Sequence, residues 1–368
     1  MAIFWVLHRS WAAICGQEQV VKLLLERPTI SPDKPDTYFR RTALSWAAGK
    51  GYEGIVRLLL GRASAKPDGT DGWWGKTPRM MNMARGRRYY VNPNWPDKYG
   101  QTPIFLAAEE GHERVVQVFL GRKDVKSNAA DGNGRTALLW ALSKGREGVV
   151  KLLLEREDVN IDRPGKNGQT PLLSAAEEGH ERVVKQLLGR KDIDPNMRGK
   201  AGRTPLLLTV WGEHEGVVKL LLEREDVNPN IPDNYGVTPL VGAAWRGHEG
   251  VVKLLLGRED VNPNIPEDEG LTPLAGAVLN KHEGVVKILV ERNGINPNAP
   301  YRNGETPLFF ACRDGYERLV ELLLQREDVD PAIPDKDGLT PLSVASKMRH
   351  QGVVKLLQAH KSANSNTA

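Results

Sequence analysis

Residues 233–266 read Asp-Asn-Tyr-Gly-Val-Thr-Pro-Leu-Val-Gly-Ala-Ala-Trp-Arg-Gly-His-Glu-Gly-Val-Val-Lys-Leu-Leu-Leu-Gly-Arg-Glu-Asp-Val-Asn-Pro-Asn-Ile-Pro, and this stretch of 34 residues recurs along the chain. Its threonine returns every 34 residues, at Thr102, Thr136, Thr170, Thr204, Thr238, Thr272, Thr306 and Thr340. Thr42 and Thr77 continue the series upstream at a spacing of 35, and the interval of 25 between Thr77 and Thr102 breaks it. A fixed period of this length indicates a repeat protein whose copies stack.

Each copy predicts two short helices with defined ends. Gly236 suits a tight turn, Thr238 can cap the first helix, and Pro239 fits its first position, where a missing N–H is harmless. Gly247 ends that helix. Glu249 opens the second helix, where the positive end of the helix dipole favours an acidic residue.

The second helix carries an apolar stripe, formed by Val251, Val252, Leu255 and Leu256 at helical spacing. The prolines that follow prevent the helix from continuing and hold the link to the next copy extended. Neither helix could bury its apolar face within one copy. The sequence therefore predicts stacked copies that share their apolar faces.

These residues resemble the ankyrin repeat, with its Gly-x-Thr-Pro-Leu turn, Ala-Ala, Gly-His, Val-Val-x-Leu-Leu-Leu and Asp-Val-Asn segments. The tetratricopeptide repeat has the same period, but its large aromatic pattern is absent here. The resemblance covers nearly the whole chain and implies an all-α solenoid of paired antiparallel helices with extended turn or hairpin fingers, in about ten to eleven units. It is similar to the long ankyrin arrays of fungal proteins, which often form the sensing part of larger receptors.

The chain departs from the family pattern in three places. The histidine that usually follows Thr-Pro-Leu is replaced by Leu173, Leu207, Val241, Ala275, Phe309 or Ser343. Arg-Glu or Arg-Lys stands where Gly-Ala usually follows the second helix, and an Asn-Pro-Asn-x-Pro segment lengthens the unit by one residue. We expect a different finger with the stack intact.

Composition excludes several classes of protein. Two cysteines cannot form a disulfide framework, and they fit a reducing compartment. The chain has neither the pattern of a signal peptide nor a membrane-spanning stretch. Residues 1–100 carry 16 Lys/Arg against 8 Asp/Glu, whereas the rest is near neutral. We therefore expect an intracellular protein, cytoplasmic or nuclear.

The register of the repeats predicts the organisation of the chain. We expect an N-terminal partial repeat or cap at 1–34, a repeat at 35–71, a degenerate shortened repeat at 72–96, seven regular repeats at 97–334, a C-terminal capping repeat at 335–361 and a disordered tail at 362–368. The apolar residues 3–7 either fold over the open end or mark a lost upstream segment. The interruption near residue 85 is compatible with a hinge, a partner-specific loop or an error in the gene model.

Three catalytic patterns fail on spacing or context. The glycines at Gly69 and Gly75 are separated by five residues, where a phosphate-binding loop requires four. The recurring His-Glu pairs lack the second histidine of a zinc-protease helix and should serve the start of each second helix. Cys15 and Cys312 lie among small apolar residues and are expected to be inert.

A basic cluster with aromatic neighbours gives the best case for binding nucleic acid. Arg85, Arg87 and Arg88 precede Tyr89 and Tyr90, which combines cations with stacking faces. A single cluster offers few contacts to phosphate groups. A solvated irregular loop is therefore favoured over a nucleic-acid site at these residues.

The family resemblance implies that a partner binds the concave face, at the turn before Thr-Pro and the end of the first helix. The candidate partner-binding residues are Trp211, Trp245, Arg246, Tyr235, Arg203, Glu177, Glu178, Glu109, Glu110, Tyr99 and Arg313. Trp and Arg are the residue types most enriched at interface hot spots, and an exposed tryptophan is unexpected unless it packs locally. Trp46 and Trp140 fall three positions earlier and should pack against the adjacent repeat.

The sequence thus predicts a non-catalytic scaffold for protein–protein interaction, which can serve as the recognition part of a larger receptor. The alternative is a binder of nucleic acid or anionic surfaces that uses the basic N-terminal quarter. We expect no enzymatic activity, cofactor, metal or membrane span. The partner is another protein, and nucleic acid is disfavoured.

Overall fold

The computed structural model describes residues 10–26, 31–61, 91–166 and 168–365. The chain divides into two compact units, residues 1–174 and 175–368. Within the described residues the structure is helical, with ten helix pairs and no strand beyond an isolated bridge between Ala130 and Thr136. The all-α repeat fold predicted from the sequence is confirmed.

Unit 1 contains the first four helix pairs. They are α1 (10–14), α2 (Glu18–Glu26), α3 (Ala43–Gly49), α4 (Glu53–Gly61), α5 (Pro103–Glu110), α6 (Glu113–Leu120), α7 (Ala137–Ser143) and α8 (Glu147–Leu154). Helix α9 (Pro171–Glu177) spans the boundary between the units.

Unit 2 continues with the same alternation. Its helices are α10 (Glu181–Leu188), α11 (Pro205–Trp211), α12 (Glu215–Leu222), α13 (Pro239–Arg246), α14 (Glu249–Leu256), α15 (Pro273–Leu279), α16 (Glu283–Val290), α17 (Pro307–Arg313), α18 (Glu317–Leu324), α19 (Pro341–Lys347) and α20 (Gln351–Ser365). The last helix runs past residue 361, where the tail was expected to begin.

The predicted caps form the helix starts. The Thr238 hydroxyl accepts a hydrogen bond from the Val241 N–H at 3.3 Å, and Pro239 occupies the first turn of α13. At the other end of α13, Gly247 takes a left-handed conformation with φ of 79°, which costs a glycine nothing. These local signals define where α13 begins and ends.

Apolar burial holds the pairs together. Helix α13 packs on α14 and on the first helices α11 and α15, while α14 packs on α12 and α16. Ala243, Ala244, Val251, Val252 and Leu255 are all fully buried between them. Complete burial of one Val or Leu side chain contributes roughly 1.5–3 kcal/mol. The apolar faces predicted from the helical spacing are therefore the core.

The fingers before α5, α7 and α13 each hold a buried aspartate, Asp97, Asp131 and Asp233. Asp233 accepts hydrogen bonds from the N–H groups of Tyr235 at 2.9 Å and Val237 at 3.1 Å. Successive fingers are linked by one backbone bond, as from the Asn234 N–H to the Ala201 carbonyl at 2.9 Å. The finger thus joins the stack without a ladder of strand pairs.

The Asn-Pro-Asn segment supplies a side-chain ladder between repeats. The Asn230 Nδ2 donates to the Asp260 carbonyl at 2.7 Å, and its Oδ1 accepts from the Asn262 N–H at 2.8 Å. The same pair of bonds is made by Asn94, Asn128, Asn196, Asn264 and Asn298. The extra residue of the unit therefore serves the stack.

The arginine that replaces the usual glycine also spans repeats. Arg258 contacts both carboxylate oxygens of Asp260, at 2.8 and 2.6 Å, and donates to the carbonyls of Leu222 at 3.3 Å and Arg224 at 2.9 Å. Its hydrogen bond lowers the pKa of Asp260. The guanidinium satisfies carbonyls at the end of the preceding second helix, which helical geometry leaves free.

Two repeats of unit 1 that are far apart in sequence are adjacent in the stack. Helix α3 packs directly against α5, and α4 packs against α6. The backbone N–H of Lys98 donates to the Phe39 carbonyl at 2.8 Å, and Arg41 pairs with Asp97 at 2.9 Å.

The repeat at 35–61 is therefore followed in space by the repeat whose finger starts at residue 91. The shortened repeat at 72–96 stays a prediction from the sequence. Residues 72–90 of the predicted unit, and the apolar residues 3–7, lie outside the described residues.

Asp33 stands where the ladder has asparagine in the next finger, since 31–35 reads Ser-Pro-Asp-Lys-Pro and 92–96 reads Asn-Pro-Asn-Trp-Pro. Its carboxylate oxygens accept from the Asn92 N–H at 3.0 and 3.2 Å. Burial raises the pKa of Asp33 to about 6. The ionised carboxylate is therefore disfavoured in the folded state.

We predict that Asn230→Ala lowers the free energy of unfolding by about 1–3 kcal/mol, because it leaves a carbonyl and an N–H of the next repeat without their partners. Urea unfolding followed by circular dichroism measures the change. The control is Asn293→Ala, since Asn293 is exposed and makes no side-chain hydrogen bond within the described residues. Equal stability of the two variants would contradict the claim that the asparagine ladder stabilises the stack.

We predict that Asp33→Asn stabilises the protein at pH 7 by about 1–3 kcal/mol, because it removes a buried charge while keeping an acceptor for Asn92. The unfolded carboxyl titrates near pH 4 and the folded one near 6, so the penalty is absent below pH 4 and complete above 6. The advantage of the variant should therefore disappear as pH falls from 7 to 4. Urea unfolding midpoints of the variant and the wild type at several pH values measure this advantage. A stability difference that stays constant with pH would contradict the raised pKa of Asp33.

Candidate functional site

Five candidate partner-binding residues of unit 2 lie in the fingers and at the first-helix ends of two adjacent repeats. We define the fingertip surface as Arg203, Trp211, Tyr235, Trp245 and Arg246. Fingers supply Arg203 and Tyr235, and the C-terminal ends of α11 and α13 supply the others. Tyr235 is 62% exposed and Trp245 is 41% exposed. The structure thus presents two large aromatic side chains to solvent.

Trp211 is half-buried under two arginines of its own chain. The guanidinium carbon of Arg246 lies 4.7 Å from the centre of the indole ring, and that of Arg203 lies 5.5 Å from it. Arg203 also approaches Asp233 at 3.6 Å. The Trp211 Nε1 is shielded from solvent and has no hydrogen-bond acceptor in the described part of the chain. Part of Trp211 is therefore used in local packing.

Trp245 occupies the same position one repeat later but has a different environment. Its ring lies over Gly276, where a Cβ would be 3.6 Å from the Trp245 Cε3. Its backbone carbonyl accepts a hydrogen bond from the His282 Nε2 at 3.0 Å. The backbone is fixed while a large part of the ring remains open.

Arg313 holds the same position two repeats after Trp245 and is neutralised. It pairs with Glu305 at 2.9 Å and with Asp314 at 2.9 Å, and it stacks on Phe310 at 5.0 Å. The hydrogen bond that the Arg313 guanidinium donates to Asp314 raises the pKa of Arg313 further. The structure therefore separates Arg313 from the fingertip surface.

The acidic candidates of unit 2 lie at the end of α9. Glu177 and Glu178 are exposed, and the Glu177 carbonyl accepts from the His214 Nε2 at 3.1 Å.

The candidates of unit 1 form a separate set. Burial raises the pKa of the Glu109 carboxyl, and the neighbouring Glu110 raises it further. Tyr99 is exposed, and its ring centre is 5.0 Å from the Lys98 ammonium. The same ammonium lies 4.3 Å from the ring of Tyr38 and 4.5 Å from that of Phe39. Sequence reasoning missed this cluster, because Tyr38 and Phe39 belong to the preceding finger.

The tryptophans assigned to packing are anchored inside unit 1. Trp140 is half-buried, its Nε1 donates to the Asp131 carboxylate at 3.2 Å, and its ring meets Phe105 at 5.9 Å. Trp46 donates in the same way to Asp36 at 2.9 Å. Their indole N–H groups are satisfied, unlike that of Trp211.

The recurring histidines act between repeats rather than on their own helix. His112, His214, His282 and His350 each donate from Nε2 to a carbonyl in the preceding repeat, at 3.0–3.2 Å. His112, His214 and His282 stand at the N-cap of their second helices, as expected, but their side chains make no cap bond there. The described residues contain no group of three or more potential metal ligands.

The two cysteines differ in environment. Burial raises the pKa of the Cys312 thiol to about 12, so it stays protonated and is a poor nucleophile. Cys15, expected to be a core thiol, is exposed.

Some predicted features lie outside the described residues. These are the basic cluster at 85–90 and the rejected phosphate-loop candidate at 69–77. Among the helices that the structure describes, none has the length and apolar character to cross a bilayer.

Comparisons with known proteins match the repeat architecture. The family profile described as "Ankyrin repeats (3 copies)" matches residues 80–163, 114–199, 149–233, 172–266, 225–301 and 274–368. The profile described as "Ankyrin repeat" matches residues 39–72. No curated protein gives a significant match to the chain.

Two crystal structures are similar to the chain. The ankyrin repeat domain of Bcl-3, described as a unique member of the IkappaB protein family, is 26% identical, with a TM-score of 0.56 over 61% of this chain and 99% of that one. The ankyrin repeat protein EF0377 is 24% identical, with a TM-score of 0.48 over 51% of this chain and 96% of that one.

We predict that Trp140→Ala and Trp245→Ala differ in their cost to stability. Trp140→Ala should lower the free energy of unfolding by about 2–3 kcal/mol, since it removes a half-buried ring and one of the hydrogen-bond donors to Asp131. Trp245→Ala should cost less than about 1 kcal/mol, because much of that ring is already in water. Urea unfolding of both variants measures the difference. Equal costs would show that Trp245 is a packing residue.

Proposed function

The chain belongs to the ankyrin repeat family, and we propose that it is a non-catalytic scaffold that holds another protein on the fingertip surface of unit 2. Ankyrin repeats are in general modules for protein–protein interaction. The fold alone names no partner, because function resides in the site rather than in the architecture. The proposal therefore depends on the side chains that the repeats present.

One observation carries the proposal: Trp245 exposes 41% of its surface beside Arg246, in the same repeat as the exposed Tyr235. Tryptophan, tyrosine and arginine are the residues most enriched at interface hot spots. The core positions of unit 2 repeat from copy to copy, whereas the fingertip surface changes. A variable, aromatic surface on a constant framework suits specific recognition of one protein.

The described chemistry supports a binding role over a catalytic one. Four of the repeated histidines are used in bonds to backbone carbonyls, and the Cys312 thiol is buried. We place the scaffold inside the cell, in the cytoplasm or the nucleus, where it can also act as the recognition part of a larger receptor.

We predict that Trp245→Ala abolishes capture of the partner while the fold is retained. Affinity capture from cells, followed by mass spectrometry, compares the wild type, Trp211→Ala, Trp245→Ala and Lys253→Ala. Lys253 is the control, because it is exposed on α14 of the same repeat and away from the fingertip surface.

Circular dichroism must first show that each variant is folded. Proteins lost with Trp245→Ala and kept with Lys253→Ala are the expected partners. Identical capture profiles for the wild type and both tryptophan variants would contradict this placement of the site.

A further inference from the structure

We propose that the fingertip surface of unit 2 recognises an extended, acidic peptide segment whose carboxylate pairs with Arg246. This inference rests on the proposed function, because it names the chemical class of the partner for the same surface. It follows from the charges around Trp211, from the hydrogen-bond donors there and from the spacing of two tryptophans.

Arg246 carries a charge that the protein does not neutralise. It is exposed at the end of α13, it covers the Trp211 ring at 4.7 Å, and within the described residues it has no carboxylate partner. Other arginines of unit 2 are paired, as Arg258 is with Asp260 and Arg313 is with two carboxylates. Arg246 is thus a guanidinium presented on an aromatic face and available to an anion.

The finger before α11 carries only positive charges, whereas the acidic Glu177 and Glu178 lie at the end of the preceding first helix, α9. Arg198, Lys200 and Arg203 come from the finger before α11, and Arg198 bonds only to neutral oxygens among the described residues. The Asp233 side chain is only 1% exposed, 3.6 Å from Arg203. A surface with surplus cations attracts an anionic partner and repels a basic one.

The next fingers limit where the anion can bind. Glu267, Asp268 and Glu269 follow in sequence at the finger of the α15 repeat, and Glu269 pairs with Arg302. An acidic partner residue would be repelled there. The carboxylate is therefore placed on the Trp211 side, and the partner chain should be neutral or basic where it approaches residues 267–269.

Two donors at the same point lack acceptors. The Nε1 of Trp211 and the Nε of Arg203 are shielded from solvent and have no hydrogen-bond partner in the described part of the chain. A shielded donor without an acceptor costs free energy. If a partner carboxylate draws Arg246 away from the ring, the Trp211 N–H is uncovered and can donate to the same segment.

The spacing of the tryptophans fixes the pattern of the segment. Trp211 and Trp245 end the adjacent helices α11 and α13, and packed helices lie about 8–10 Å apart. An extended chain advances about 3.3 Å per residue. A carboxylate over Trp211 and an apolar side chain against Trp245 are therefore two or three positions apart in the partner.

Selection from a displayed library of random 12-residue peptides tests this pattern. The full chain is immobilised as the wild type and as Trp245→Ala, Arg246→Glu, Arg246→Gln and Lys253→Glu. Peptides that the wild type enriches should carry Asp or Glu two or three positions from an apolar residue. They should bind Arg246→Glu at least about tenfold more weakly and Lys253→Glu unchanged.

The Arg246→Gln variant keeps the test decisive if the charge reversal disturbs folding, since it too removes the positive charge. One outcome would overturn the pairing of a partner carboxylate with Arg246 while leaving the proposed function intact. In that outcome the selected peptides need Trp245 but lack acidic residues, and they bind both Arg246 variants as well as they bind the wild type. If the selected peptides bind the Trp245→Ala variant as tightly as the wild type, the fingertip surface is not the binding site.

Discussion

Burial of apolar surface between adjacent repeats is the interaction on which the other contacts depend. A single pair such as α13 and α14 has too little area to bury Val251, Val252 and Leu255, and these side chains lose their exposure only because α12 and α16 lie against them. The hydrogen bonds between repeats join residues 30–37 positions apart. Such bonds require the neighbours to be in place already, so apolar packing comes first and polar contacts then select the register.

Three polar contacts set that register within each unit. Asparagine side chains such as Asn230 join the links between copies, arginines such as Arg258 cover the ends of the preceding second helices, and histidines such as His282 reach the ends of the preceding first helices. Each satisfies backbone groups that helix ends or extended links leave open. Two departures from the common family pattern thus serve the stack, because the asparagine of the Asn-Pro-Asn segment and the arginine each supply a bond between repeats.

The fingertip surface shows how one position in a repeat takes different roles. Trp211, Trp245 and Arg313 occupy equivalent places, yet the first is covered by arginines, the second is open and the third is held by two carboxylates. The framework is unchanged while the neighbours differ in charge. A repeat protein can therefore vary its recognition chemistry without altering its core, since the exposed positions make no contribution to the shared apolar faces.

The sequence by itself determined the repeat, the helix pairs, the threonine caps and the buried apolar stripe, because all of these follow from spacing within 34 residues. It also placed Trp211 and Trp245 at the ends of first helices. Only the tertiary structure decided that Arg246 lies on Trp211, that Arg313 is neutralised and that α3 packs on α5 with no repeat between them. The physical reason is that exposure, charge pairing and the order of stacking depend on contacts between different repeats. The sequence of one repeat does not specify which side chains the adjacent repeats place against it.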